Sequence, residues 1–194
     1  MKGILADFFS ILIIALFLCA GCHNKGSVIK RMNKYLVGKE ISFDWPKLFV
    51  YKDSIISDSL FQMTPVKIIT YRGDESCALC INRLLQKASS FLDHGNTFEL
   101  FNVSQVNYYI ILSRPIKDII KCFQDEDIPF VSIIFDKNDM FLDNNLLSKN
   151  DFSNLTLLLD ENNRIVLVGD PIHDEESRDK YVDKIVEIIT KYNK

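Results

Sequence analysis

The stretch from Val66 to Leu92 constrains the fold more than any other part of this sequence. Val66-Lys67-Ile68-Ile69-Thr70-Tyr71 is rich in β-branched residues and follows Pro65, which suits a buried strand. Gly73-Asp74-Glu75-Ser76 interrupts it, with Ser76 a candidate helix cap. Cys77, Cys80, Ile81, Leu84, Leu85, Ala88, Phe91 and Leu92 then recur at the three-and-four spacing of one helical face. His94-Gly95-Asn96 ends that pattern. A strand leading straight into a helix is therefore built into the sequence.

The same reading carries along the chain. Val37–Phe43 is a candidate opening strand, and Pro46 and the region from Asp53 to Asp58 read as loops with short extended pieces. Val106–Leu112 and Phe130–Phe135 are further strands, with a short helix over Ile116–Phe123 entered through Pro115. Leu155–Leu159 and Ile165–Val168 flank Asp160-Glu161-Asn162-Asn163-Arg164 and predict a hairpin. A last helix over Glu176–Tyr192 places Tyr181, Val182, Ile185, Val186, Ile189 and Tyr192 on its apolar face. Nearly continuous apolar strands alternating with helices predict an α/β fold whose sheet is covered on both faces. The terminal hairpin makes that sheet mixed. The acidic runs at Asp125-Glu126-Asp127 and Asp174-Glu175-Glu176 read as solvated charges, the second favourable at a helix start.

The chain has 194 residues, and a net charge of −3 argues against a general electrostatic grip on nucleic acid. No repeat or low-complexity linker divides it, so residues 37–194 read as one domain.

The amino terminus is different in kind. Lys2 precedes an apolar stretch from Phe8 to Gly21, too short for the roughly 20 residues that span a bilayer as a helix. This is the anatomy of a secretory signal over residues 1–21. Ala20-Gly21-Cys22 resembles the lipobox of bacterial lipoproteins, although Cys19 stands where that motif usually has Leu. The resemblance implies that Cys22 is acylated, that residues 22–36 form a tether, and that the protein is anchored to a membrane of the bacterial cell envelope. Plain secretion and an uncleaved anchor are the alternatives.

With Cys19 removed and Cys22 acylated, Cys77, Cys80 and Cys122 remain. Cys122 reads as a small core residue. Cys77-Ala78-Leu79-Cys80 opens the first helix directly after a strand. Unpaired N–H groups and the positive end of the helix dipole stabilise an anion there, so a thiolate at that place has a lowered pKa. On position, Cys77 is expected to attack a substrate disulfide, and Cys80, packed beneath it, to resolve the mixed disulfide. Ala78 and Leu79 give a thiolate no support, Asp74 and Glu75 oppose it, and Arg72 and Arg83 offer partial relief, which points to a reductant. Zinc needs a further Cys or His pair, whereas His94 and His173 stand singly, so neither metal nor cofactor is expected. His173 reads as a surface or capping residue.

With strand, C-x-x-C, helix, hairpin and terminal helix in this order, the sequence resembles thioredoxin-like (TlpA-like) envelope lipoproteins. The resemblance implies a three-layer sandwich and thiol–disulfide exchange with protein thiols or disulfides of the envelope, carried by Cys77 and Cys80. Two positions depart from the family's redox members: Ser76 stands where Trp precedes the first cysteine, and Asn154 where a cis-proline begins the hairpin strand. These departures favour the alternative, a non-catalytic binding module with a structural disulfide. Peroxiredoxins share the fold, but their Pro and Thr ahead of the cysteine are replaced here by Gly73-Asp74-Glu75-Ser76.

Overall fold

The computed structural model describes residues 26–44, 48–51, 54–55, 64–73, 77–93, 105–113, 131–136, 138–148 and 155–194. The signal stretch, Cys22, Ser76, His94, the expected helix over Ile116–Phe123, Cys122 and Asn154 lie outside them. Two compact units divide between Tyr35 and Leu36. The first contains nearly all of a helix over residues 26–36 (α1), within the stretch read as a tether. Its Asn33 side chain donates to the Ile29 carbonyl at 3.0 Å.

The second unit carries the sheet. Its strands are β1 (Leu48–Tyr51), β2 (Ser54–Ile55), β3 (Val66–Arg72), β4 (Val106–Leu112), β5 (Val131–Phe135), β6 (Thr156–Leu159) and β7 (Ile165–Gly169), in the spatial order β2-β1-β5-β4-β3-β6-β7. Strands β3, β4 and β5 run parallel. The β6–β7 hairpin and the β1–β2 pair add antiparallel strands on the two sides, giving the expected mixed sheet. Among the described residues, the helices of this unit are α2 (Ala78–Asp93), α3 (Met140–Asn144) and α4 (Glu175–Tyr192).

The strands read as continuous apolar runs because both sheet faces are covered: every described residue of β4 except Asn107 is buried. On one face, Val66, Ile68, Tyr108, Ile110 and Ile133 pack with Ile81, Leu85 and Phe91 of α2 and Tyr181, Ile185 and Ile189 of α4. The hairpin turn is set locally. Asp160 Oδ1 accepts from Asn162 N and Arg164 N at 2.9 Å each, and Asn163 takes a left-handed φ of 60°. At the start of α4, the Asp174 carboxylate accepts from Ser177 N at 2.9 Å, with Glu175 and Glu176 in the first turn.

Three expectations change. Val37–Phe43 forms an isolated bridge, Glu40 to Arg164, instead of a strand. Gly38 has a φ of 89°, and the segment pairs with the hairpin turn rather than along a strand, through Gly38 N to Ile165 O and Ile41 N to Asn163 O. Tyr192 is 54% exposed, and the buried stripe of α4 instead includes Ile188. Helix α3 was not expected; Asp136 supplies it by accepting from Met140 N at 3.0 Å and Phe141 N at 2.8 Å.

Candidate functional site

Cys77 sits at the cap position of α2. Its carbonyl accepts from Ile81 N at 3.0 Å, and its sulfur accepts from Cys80 N at 3.2 Å. The sulfur thus takes the place that a Ser or Asp oxygen takes in most caps, where it meets an amide with no partner inside the helix. Cys77 and Cys80 are joined as a disulfide, their Cα atoms 5.1 Å apart, within the usual range for such a bond. Both cysteines are exposed, and Leu79 between them is 60% exposed.

This corrects part of the sequence reading. Cys80 belongs to the helical repeat but does not pack under Cys77: the buried stripe of α2 begins at Ile81. A helix start at the end of a strand stands clear of the sheet, so its first turn reaches no core. Exposure therefore cannot rank the two sulfurs. The amide hydrogen bond does, because it falls on Cys77.

The pair stands at the carboxyl ends of the parallel strands, where open α/β sheets place their ligand sites. The same strands carry a buried polar layer. Thr70 Oγ1 is 2.7 Å from the Tyr108 hydroxyl and 2.8 Å from Thr156 Oγ1, and the Tyr181 hydroxyl donates to the Thr156 carbonyl at 2.5 Å. Burial pushes Tyr108 up to about 12, partly offset by its hydrogen bonds. Arg72 ends β3 half-buried; desolvation lowers its pKa, while the Tyr108 hydroxyl and Asp170 favour its charge.

Asp170 is itself buried at the end of β7. Its N–H donates to Ser177 Oγ at 2.9 Å, and its Oδ1 is 2.9 Å from Nδ1 of the half-exposed His173. His173 accordingly serves a local anchoring contact. The Arg72–Asp170–His173 grouping was missed in the sequence reading. Arg72 lies about a hundred residues before Asp170 and His173, and it comes to their side of the molecule because β3 and β7, with β6 between them, end at the same edge of the sheet. At the same sheet edge, the Tyr71 hydroxyl donates to Asp139 and its ring stacks on Phe141, centroids 6.2 Å apart. Burial, then the Asp139 contact, drives the Tyr71 pKa up.

Among the described residues, no group of three or more His, Cys, Asp or Glu side chains is arranged to hold a metal ion. No helix among them is long and apolar enough to cross a membrane.

No family model and no curated protein matches the chain. Solved structures do. The bacterioferritin comigratory protein of Xanthomonas campestris, studied for alkyl peroxide reduction, is 12% identical, with 78% of this chain and 98% of that one covered at a TM-score of 0.52. Peroxiredoxin Q of Xylella fastidiosa, as a cysteine-to-serine variant, is 10% identical, with coverage of 78% and 95% and a TM-score of 0.53. Yeast Sco1 is 17% identical, with coverage of 76% and 95% and a TM-score of 0.51. At these identities the likeness concerns architecture alone, and it agrees with the strand order and helix placement described above: the chain has a thioredoxin-like α/β fold.

Proposed function

We propose that this chain is a membrane-anchored thiol–disulfide oxidoreductase acting on protein disulfides through Cys77 and Cys80. One observation carries the reading: the sulfur of Cys77 caps an exposed helix start, accepts the Cys80 amide, and is paired with a second exposed sulfur one turn on. An amide donor and the helix dipole favour the thiolate, which is the attacking species.

In the reduced state the Cys77 thiolate attacks one sulfur of a substrate disulfide. The substrate's S–S bond breaks, one substrate thiolate leaves, and a mixed disulfide forms. The Cys80 thiolate then attacks Cys77 Sγ, releasing the second substrate thiolate and leaving the Cys77–Cys80 disulfide. The substrate gains two electrons, which a dithiol donor must restore to the pair. Ala78 and Leu79 offer the thiolate neither charge nor a hydrogen bond, so its support is modest and the couple falls on the reducing side, nearer the roughly −270 mV of thioredoxin than the roughly −120 mV of a strong oxidase. Acylation of Cys22 would hold this chemistry at a membrane surface.

The test is reduction of insulin disulfides by the full chain with a dithiol donor. Cys77→Ser is expected to lower the rate at least 100-fold, and equal rates in wild type and variant leave only a binding module. Cys22→Ser is expected to move the protein from the membrane to the soluble fraction of expressing bacteria; continued membrane retention removes the lipid anchor.

A further inference from the structure

Helix α2 does more than start at the disulfide. Cys80, Arg83, Lys87 and Ser90 are all exposed, and at about 100° per residue they fall within an arc of about 80° on its surface. This stripe leads from the reactive sulfurs to a cavity of about 210 Å³, lined by Lys87, Ser90 and Phe91 of α2 and by Pro171, Ile172 and Arg178. The floor is apolar: Phe91 and Ile172 are 5% exposed each. The rim is cationic. Arg178 is held across the loop after β7 by its Nε donating to the Pro171 carbonyl at 3.3 Å.

The carboxylates at the start of α4 do not line the cavity: of that turn only Arg178 does, while Asp174 accepts from Ser177 N and Glu176 from Lys180 Nζ at 2.6 Å. Along the stripe itself, α2 has no acidic side chain in its first turn and none before Asp93. The chain as a whole is acidic, with a net charge of −3, so Arg83, Lys87 and Arg178 along this stripe and cavity are a local exception.

We infer that this stripe and cavity bind an acidic segment of the protein substrate, with carboxylates on Lys87 and Arg178 and an apolar side chain on Phe91 and Ile172. The inference rests on the disulfide-exchange reading and adds what that reading lacks, a substrate class. Complementary charge at such a rim sets partner choice. The geometry also sets spacing. The substrate cysteine bonds to Cys77, and Lys87 lies ten residues beyond it, about 15 Å along the helix. An extended peptide advances about 3.3 Å per residue, so the acidic residue stands about three to five positions from the substrate cysteine.

The test uses the full chain and peptide disulfides identical except for Glu, Gln or Lys four positions from the cysteine, with Leu beside it. The Glu peptide is expected to show a KM about 10-fold below that of the Lys peptide at low salt, with kcat unchanged, and the gap is expected to close as salt rises. Lys87→Glu alone, an exposed position, is expected to reverse the order; Arg178→Glu added to it is expected to widen the reversal. Lys191→Glu, at the far end of α4, is expected to keep the wild-type order.

Equal KM values for the three peptides overturn the inference, as does an order that survives Lys87→Glu. Anisotropy of labelled cysteine-to-serine peptides on a Cys77→Ser, Cys80→Ser chain separates the two readings. Exchange without charge-ranked binding sinks the docking path alone. Charge-ranked binding without exchange leaves the path standing and sinks the enzyme.

Discussion

Lys67 and Thr70 lie on β3, and Cys77 and Cys80 follow within ten residues of Thr70, yet the two pairs meet opposite surroundings. Lys67 and Thr70 are almost fully enclosed, and Thr70 is bonded on both sides by Tyr108 and Thr156. The cysteines stand in solvent with an exposed leucine between them. Polar groups that are enclosed must find partners or lose more free energy than the bonds return. Thr70 thereby ties three strands together, and its burial closes it to a substrate. The sulfurs have given up burial and kept access. What distinguishes enclosed from accessible polar groups in this molecule is therefore their position along the strand-to-helix junction, more than residue type.

The comparison can be broken first at the enclosed layer, where the largest effect is expected. A Cβ on Gly169 would stand 2.3 Å from Ser177 Oγ and 3.1 Å from Tyr181 Cε2, and Ser177 Oγ is already engaged by Asp170 N. Gly169→Ala is expected to lower stability in urea melts by about 1–3 kcal/mol through overpacking, without altering disulfide exchange per folded molecule. A loss of exchange in a protein that still melts normally would mean that the layer tunes the sulfurs directly.

Lys67 sharpens the comparison by pH. Burial pushes its ammonium down to about 8 from the usual 10.5, against the attraction of Asp160 and Glu161. The folded value is the lower one, so between pH 8 and 10.5 the unfolded chain binds more protons and stability rises with pH. Tyr108 and Tyr109 act oppositely: burial pushes both up to about 12, so above about pH 10 the folded chain keeps protons that the unfolded chain loses. Urea melts are expected to show stability climbing above pH 8 and falling beyond about pH 10. Lys67→Met is expected to raise stability at neutral pH and erase the climb; a climb that persists in this variant assigns it to another group.

The smallest effect is expected at another exposed feature of that sheet edge. Leu146, just past α3, is 88% exposed and holds a left-handed φ of 52°. The turn is fixed by Leu147 N on Leu142 O at 2.9 Å and by Asn145, whose side chain accepts from Ser42 N at 2.7 Å and donates to Ser42 O at 2.9 Å. A branched residue is strained there, and Leu146→Gly is expected to stabilise the protein by about 0.5–1 kcal/mol in the same melts. A destabilised variant would show that Leu146 makes contacts that its exposure conceals.

The sequence by itself determined the elements and the chemistry they carry. β-branched runs, a three-and-four repeat and a turn built on Asp160 are local properties, so β3, α2, the hairpin and α4 were legible from their own residues. So was the C-x-x-C at a helix start, because spacing and cap position are local too. Only the tertiary structure decided the rest. Cys80 shares a helical repeat with the core but extends past the edge of the sheet that would bury it. Arg72 comes near Asp170 and His173 because β3 and β7, on either side of β6, end at one edge of the sheet, and Lys87 and Arg178 share a cavity because α2 packs beside the loop after β7. Periodicity records which side of an element is apolar; it holds no information about where the neighbouring element stops, and on this protein that is where the two cysteines become exposed.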